Sequence, residues 1–252
     1  MGVRVLSSAG GATVIETCEC QLEQRVARLL HCAAIPERYR HCSFENFETS
    51  FPKADPSLAT AQRMARQFVD GYPATTGGRG LIFTGSSGLG KTHLAVSILK
   101  ALIADRGAHG LFCDYRELLK EIGHSYNRQV ATTEMDVLRP VFDAEVLLLD
   151  ELGATQPTTW IWDTVALILN SRYNKKLTTL FTSNFLDLPG AGPEPVGCTD
   201  GEMVERARRA TREPTLGDRI GERMRSRLAE MCVTVPMNGQ DFRQTVARAR
   251  FG

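Results

Sequence analysis

No stretch of this sequence approaches the roughly 20 consecutive apolar residues of a membrane-spanning helix, and the opening MGVRVLSSAGG lacks the long apolar core of a secretory signal. A cytoplasmic protein with no membrane partner is therefore expected. A net charge of one sign is also missing. Thirty basic and 29 acidic side chains leave +1 at pH 7, so charge balance alone points to no anionic partner. Lysine is scarce: Lys53, Lys91, Lys100, Lys120, Lys175 and Lys176 are the only six, and the other 24 basic residues are arginine. Arginine bonds phosphate and carboxylate bidentately and stays charged when partly buried, so the excess suits nucleotide, nucleic-acid or subunit contacts; genomic codon bias explains it equally well. Seven cysteines, an odd number without an export signal, argue against a disulfide framework and leave reduced thiols or a metal site. The 42% apolar content excludes collagenous and wholly disordered chains, and over 252 residues it supports one substantial core, alone or with an appendage.

Residues 1–43 differ from the rest of the chain. A Gly-rich start precedes QLEQRVARLLHCAAI, whose Leu22, Val26, Leu29 and Leu30 carry the spacing of one amphipathic helix. An irregular aromatic-rich segment, IPERYRHCSFENFETSF, leads into a helix over Leu58 to Val69 that the breaker Gly77 to Gly80 ends. Short apolar runs then alternate with longer helical segments: LIFT (81–84), a helix (92–104), LFCDY (111–115) with a helix after it, VLLLD (146–150), a helix within 158–172, and TTLFTS (178–183). Near-continuous apolar strands alternating with helices imply an α/β fold, a parallel sheet covered by helices on both faces, with a small N-terminal helical appendage. A Gly/Pro/Glu/Arg-rich connection from Leu188 to Thr215 loops out before an Arg-rich helix near Asp218 to Glu230 and a last strand, MCVTVP.

GSSGLGKT follows the strand LIFT and opens the helix HLAVSILKAL, the context that the pattern G-x-x-x-x-G-K-[ST] requires. Gly85, Gly88 and Gly90 permit a tight turn whose N–H groups, with those of Ser86, Ser87, Leu89 and the helix start at His93, face phosphate oxygens at the positive end of the helix dipole. Lys91 would reach the β- and γ-phosphates of ATP, and Thr92 would place its hydroxyl on Mg²⁺. The strand VLLLD ends in Asp150 and Glu151 at a carboxyl strand end, where ligands of open α/β sheets lie. Asp150 can hold Mg²⁺ through water, and Glu151 can orient or deprotonate the water attacking the γ-phosphate; a solvated acid pair is the bland alternative. Asn184 closes TTLFTSN, where it would hold that water or a γ-phosphate oxygen, or merely make a turn.

LGDRIGERMRSRLAEMC spaces Arg219, Arg223 and Arg227 four apart, stacked on one helix face beside a stripe of Ile220, Met224 and Leu228, with Arg225 elsewhere. The row is either a solvated face balanced by Asp218, Glu222 and Glu230, or a source of a guanidinium for γ-phosphate in its own or a neighbouring subunit.

In that order and approximate spacing, GSSGLGKT, VLLLDELG, TSN and GERMRSRLAEMC resemble the AAA+ ATPases of the DnaC/IstB type, the replicative-helicase loaders and related transposition helpers. IPERYRHCSFENF and FCDYRELL resemble them too, so the likeness covers roughly residues 30 to 235. The resemblance assigns Lys91 and Thr92 to Walker A, Asp150 and Glu151 to Walker B, Asn184 to sensor 1 and Arg227 to the arginine finger acting on the neighbour's ATP. It matches Arg223 to a second arginine of that helix. It implies an ATPase domain over 44–252 that self-associates in an ATP-dependent ring or spiral on single-stranded DNA, and a 1–43 segment that docks on a hexameric replicative helicase. A helper that recruits a transposase to duplex DNA is the alternative. A small-molecule kinase with Glu151 as substrate base, or a nucleotide-gated scaffold, are rivals from other classes.

The sequence departs from the family where paired zinc cysteines are common: Cys18 and Cys20 have no upstream C-x-x-C partner, and Cys32 and Cys42 lack compact spacing, so no zinc is assigned. Arg206, Arg208, Arg209 and Arg212 face DNA or solvent. From Val204 to Leu228 eight arginines stand against four acids, a modest basic patch that defines no set of DNA contacts.

Overall fold

The computed structural model describes residues 3–7, 13–17, 19–127, 131–187 and 214–243. Where a helical appendage is expected, the chain begins with an antiparallel hairpin, β1 (Val3–Ser7) and β2 (Thr13–Thr17), before α1 (Glu19–Cys32). The β-branched residues of VRVLS and TVIET explain the strands. α1 sets Leu29 and Leu30 against the main core and leaves Leu22 exposed. The helix α2 (Pro56–Gly71) starts where Asp55 accepts a hydrogen bond from Ser57 N at 2.9 Å, with proline at its first position.

The main sheet has five parallel strands in the order β4-β5-β6-β3-β7: β3 (Gly80–Thr84), β4 (Gly110–Asp114), β5 (Val146–Asp150), β6 (Thr178–Ser183) and β7 (Cys232–Pro236). The intervening helices are α3 (Lys91–Arg106), α4 (Tyr115–Ser125), α5 (Glu134–Asp143), α6 (Thr159–Asn174), α7 (Leu216–Ile220) and α8 (Glu222–Met231). Strand alternation divides the core in two. Phe83, Val146, Leu148 and Leu180 pack toward α2 and α3, while Ile82, Leu147, Leu149 and Phe181 pack toward α4 to α8. Among the described residues no helix is long and apolar enough to cross a membrane.

Besides the hairpin, two elements differ from the sequence expectation. The helix α5 is not among the expected segments; it carries Pro140 inside and is started by a capping box between Thr133 and Asp136. The expected arginine helix is two helices, broken at Gly221, whose φ of +86° lies outside helical geometry. Arg219 therefore sits on α7, and only Arg223 and Arg227 keep their spacing on α8. The connection 188–213, with Arg206, Arg208, Arg209 and Arg212, lies outside the described residues.

Arg172 is wholly buried near the end of α6. Its guanidinium donates to Thr179 Oγ1 (2.8 Å) and to the carbonyls of Val141 (2.8 Å), Ala144 (2.8 Å) and Thr178 (2.6 Å), tying α5 and α6 to the start of β6. Burial pushes the guanidinium down to about 10, still charged at neutral pH. Arg172→Ala leaves those acceptors buried and unbonded, at an expected cost of about 3–5 kcal/mol, or on the order of 10 °C in melting temperature. A melt within about 2 °C of wild type contradicts this role.

Candidate active site

The carboxyl ends of β3, β5 and β6 open into a cleft of about 610 Å³. Its floor is the loop 85–90, where Gly85, Gly88 and Gly90 have φ values of +140°, +81° and +83°. A side chain at Gly85 would meet Met237 O at 2.0 Å, and one at Gly90 would meet the Phe47 ring at 2.6 Å, so the turn has no room for Cβ atoms. Leu89 anchors the loop in the core, and Ser86 and Ser87 are exposed. Gly90 caps α3, whose first residue, Lys91, is buried; its Nζ donates to Gly85 O (2.8 Å) and Ser86 O (2.6 Å). Burial lowers the ammonium from 10.5 to about 8, against the opposing charges of Asp150 and Glu151.

Thr92 Oγ1 donates to Asp150 Oδ1 at 2.8 Å, and Thr182 Oγ1 donates to the same oxygen at 2.6 Å. Asp150 is 1% exposed, and burial raises its carboxyl above the ordinary range while the Thr182 and Thr92 hydroxyls oppose the rise. The next residue, Glu151, stands at φ +59°, a left-handed conformation rare outside glycine. Its N–H donates to Thr182 Oγ1 (2.9 Å), its carboxylate lines the cleft, and Arg116 lies 3.6 Å from Oε2. Asn184, exposed just beyond β6, lines the same wall.

His93 faces the cleft with Nε2 2.8 Å from Ser43 O; a carbonyl only accepts, so Nε2 carries the proton. It ties α3 to the segment 37–47, whose Arg38, Tyr39 and Phe47 also line the cleft. Of the expected residues, then, the loop from Ser87 to His93, Glu151 and Asn184 line one cleft, while Gly85, Ser86 and Asp150 bond to groups there.

Arg223 and Arg227 are elsewhere. Arg223 is exposed, and Arg227 lies over the Tyr173 ring (4.7 Å to its centroid) and donates to Asn170 Oδ1. Neither reaches the cleft of its own chain. The sequence motifs also pass over Thr182, Arg116 and Arg243. Only Thr182 carries a signal, as a hydroxyl at the carboxyl end of a strand two residues before Asn184.

Among the described residues, His41, Cys42 and His93 are the group of potential metal ligands that converges, within 4.8 Å; Cys20 and Cys32 are exposed and do not join it, and Cys18 lies outside the described residues. Burial pushes the Cys42 thiol up to about 11, which disfavours the thiolate that binds metal.

The family model described as IstB-like ATP binding protein matches residues 14–187. The chain is 26% identical over 183 residues to the replicative helicase loader DnaI of Bacillus subtilis (strain 168), covering 70% of this chain and 56% of that protein. It is 25% identical over 202 residues to the replicative helicase loader DnaC of Escherichia coli (strain K12), covering 80% and 70%. The chain thus spans little more than half the length of the DnaI relative. A crystal structure of the DnaC helicase loader superposes with a TM-score of 0.60 at 28% identity, covering 81% of this chain and all of that one. The DnaI structure gives 0.59 at 25%, covering 81% and 95%. The replication initiator DnaA bound to AMPPCP, at 14% identity, shares the fold. The chain belongs to the IstB-like ATP binding family, of the DnaC/IstB AAA+ type.

Proposed function

We propose that this protein is an ATP-dependent loader of a hexameric replicative helicase, with residues 44–252 as its ATPase and 1–43 as its docking segment. The observation that carries the ATPase reading is the 2.8 Å bond joining Thr92 to Asp150 across 58 residues, with Glu151 beside it and Lys91 one residue away. The loader reading rests on the relatives, which are named replicative helicase loaders.

In this reading the N–H groups of the 85–93 loop and helix start, with Lys91, hold the phosphates. Thr92 and Asp150 offer only hard oxygen donors, and Asp150 is a buried carboxylate whose charge two hydroxyls do not neutralise, so the pair fits Mg²⁺. Bound there, magnesium supplies charge neutralisation at the phosphates. Glu151 accepts the proton of the attacking water, which Asn184 helps orient, and its strained backbone fixes the carboxylate at the strand end. Arg227, absent from its own cleft and partly exposed on α8, acts on the nucleotide of a neighbouring copy, and Arg223 flanks it. Such a head-to-tail contact builds an open ring or spiral, in which single-stranded DNA is held.

The partner is tested by affinity purification of the Glu151→Gln protein, with ATP, from its native cell. Recovery of the replicative helicase is expected; recovery of a transposase without helicase overturns the loader reading.

A further inference from the structure

The cleft wall carries a second set of ligand groups, away from Thr92 and Asp150 and of different chemistry. His41 and Cys42, from the turn before α2, and His93, from the first turn of α3, bring their ligand atoms within 4.8 Å of one another, and all three line the cleft. Cys42 Sγ lies 3.9 Å from His41 Nε2, and the two histidine rings meet edge-on with centroids 6.0 Å apart. A tetrahedral zinc ion holds its nitrogen and sulfur ligands about 3.3–3.6 Å apart. Closing the set therefore takes a contraction of about 1 Å, within what the exposed His41 ring can supply by turning.

The backbone under these side chains is fixed in advance. Lys100 Nζ donates to the carbonyls of Arg40 (2.6 Å) and Cys42 (2.8 Å), Asn46 Nδ2 to that of His41 (2.6 Å), and Gln62 Nε2 to that of Phe44 (2.8 Å). With His93 Nε2 on Ser43 O, every carbonyl from Arg40 to Phe44 is held by a side chain. The His93 bond has the form of an outer-shell anchor, since ligating imidazoles ordinarily donate their second N–H to a carbonyl or carboxylate; the proton on Nε2 leaves the ring's lone pair on Nδ1. Two imidazoles and a thiol suit zinc, whereas magnesium takes oxygen donors such as those of Thr92 and Asp150. Without an ion the Cys42 thiol keeps its proton; on coordination the S–H bond gives way to a Zn–S bond and the proton passes to solvent.

We infer that His41, Cys42 and His93 form a zinc site, with water from the cleft completing three protein ligands, distinct from the oxygen donors of Thr92 and Asp150. Zinc there ties the 41–43 turn to the start of α3, one residue beyond Thr92. The site does not depend on which nucleotide or partner the cleft serves.

Cobalt titration of the full-length protein tests this, nucleotide-free, stripped of metal by a chelator and kept reduced by a phosphine. Wild type, His41→Ala, Cys42→Ser and a Cys20→Ser/Cys32→Ser control are compared. The wild type should take up one Co²⁺ per chain, with the visible bands of tetrahedral cobalt and a sulfur-to-cobalt charge-transfer band. Zinc should abolish both, and excess Mg²⁺ should not. His41→Ala should weaken cobalt at least about 100-fold while its metal-free melt stays within about 2 °C of wild type. Cys42→Ser should lose the charge-transfer band, and the control should keep it. Zinc at about a hundredfold above its Kd should raise the wild-type melt by about 5–10 °C and leave that of His41→Ala in place. A wild type without the charge-transfer band overturns the site. So does a band that persists in Cys42→Ser or vanishes in the control, or a His41→Ala protein that binds cobalt within about threefold of wild type.

Discussion

Glu151→Gln is expected to lower ATP turnover by about 10²–10⁴-fold while ATP affinity stays within a few-fold of wild type. The Glu151 carboxylate is placed to take a proton: Asp150 is buried under two hydroxyls, whereas Glu151 is partly open, lines the cleft and has Arg116 3.6 Å from Oε2. That pair is half exposed and contributes about 0–1 kcal/mol, so the amide leaves the fold standing. Steady-state phosphate release and an ATP titration on the same preparation separate the two effects. Turnover within about threefold of wild type would place water activation elsewhere.

Arg227→Ala is expected to leave ATP binding intact and to remove the stimulated part of hydrolysis, about 10³–10⁵-fold where the assembly is the active form. The bland alternative is that Arg227 only braces α8 on α6, through the Tyr173 ring and Asn170. Asn170→Ala separates the two, since it removes the intrachain acceptor and keeps the guanidinium. A bracing role makes both variants unstable and leaves turnover per folded protein unchanged. A role in hydrolysis makes Arg227→Ala inactive at nearly normal stability and leaves Asn170→Ala active. The ring contact that Arg227→Ala gives up is worth about 0.5–1 kcal/mol at an exposed site.

The parts of this molecule that can be read from the sequence are those where one local pattern settles the matter. LIFT and VLLLD are near-continuous apolar runs and TTLFTS is rich in β-branched and aromatic residues, as strands of a parallel sheet covered by helices on both faces are, so β3, β5 and β6 stand within a residue of where they are expected. GSSGLGKT carries its own geometry in its glycines. The arginine row misleads because i, i+4 spacing suggests one continuous helix, whereas Gly221, a single residue at positive φ, separates Arg219 from Arg223 and Arg227. Arg219 instead lies over the Phe185 ring, 4.4 Å from its centroid, and hydrogen-bonds Gln156. The helix α5 is hidden by Pro140, which reads as a breaker in sequence but sits in a helix only ten residues long. Arg243 lines the cleft, and Arg116 stands beside Glu151, through tertiary proximity alone. NGQDFR in particular has neither strand nor helix periodicity, and its place over Gly88 depends on the course of the chain beyond β7.

The central claim is that each hydrolytic site is shared between two copies of the chain, Glu151 from one and Arg227 from the next. Mixing the Glu151→Gln and Arg227→Ala proteins tests it most directly. Each is inactive alone, yet an Arg227→Ala subunit keeps its glutamate and can borrow the arginine of a Glu151→Gln neighbour. With random assembly from equal amounts, stimulated hydrolysis should return to roughly a quarter of the wild-type rate, because half of the sites hold Glu151 and half of those face an intact Arg227. A mixture as inactive as its two components, at concentrations where the wild type assembles, would contradict a shared site.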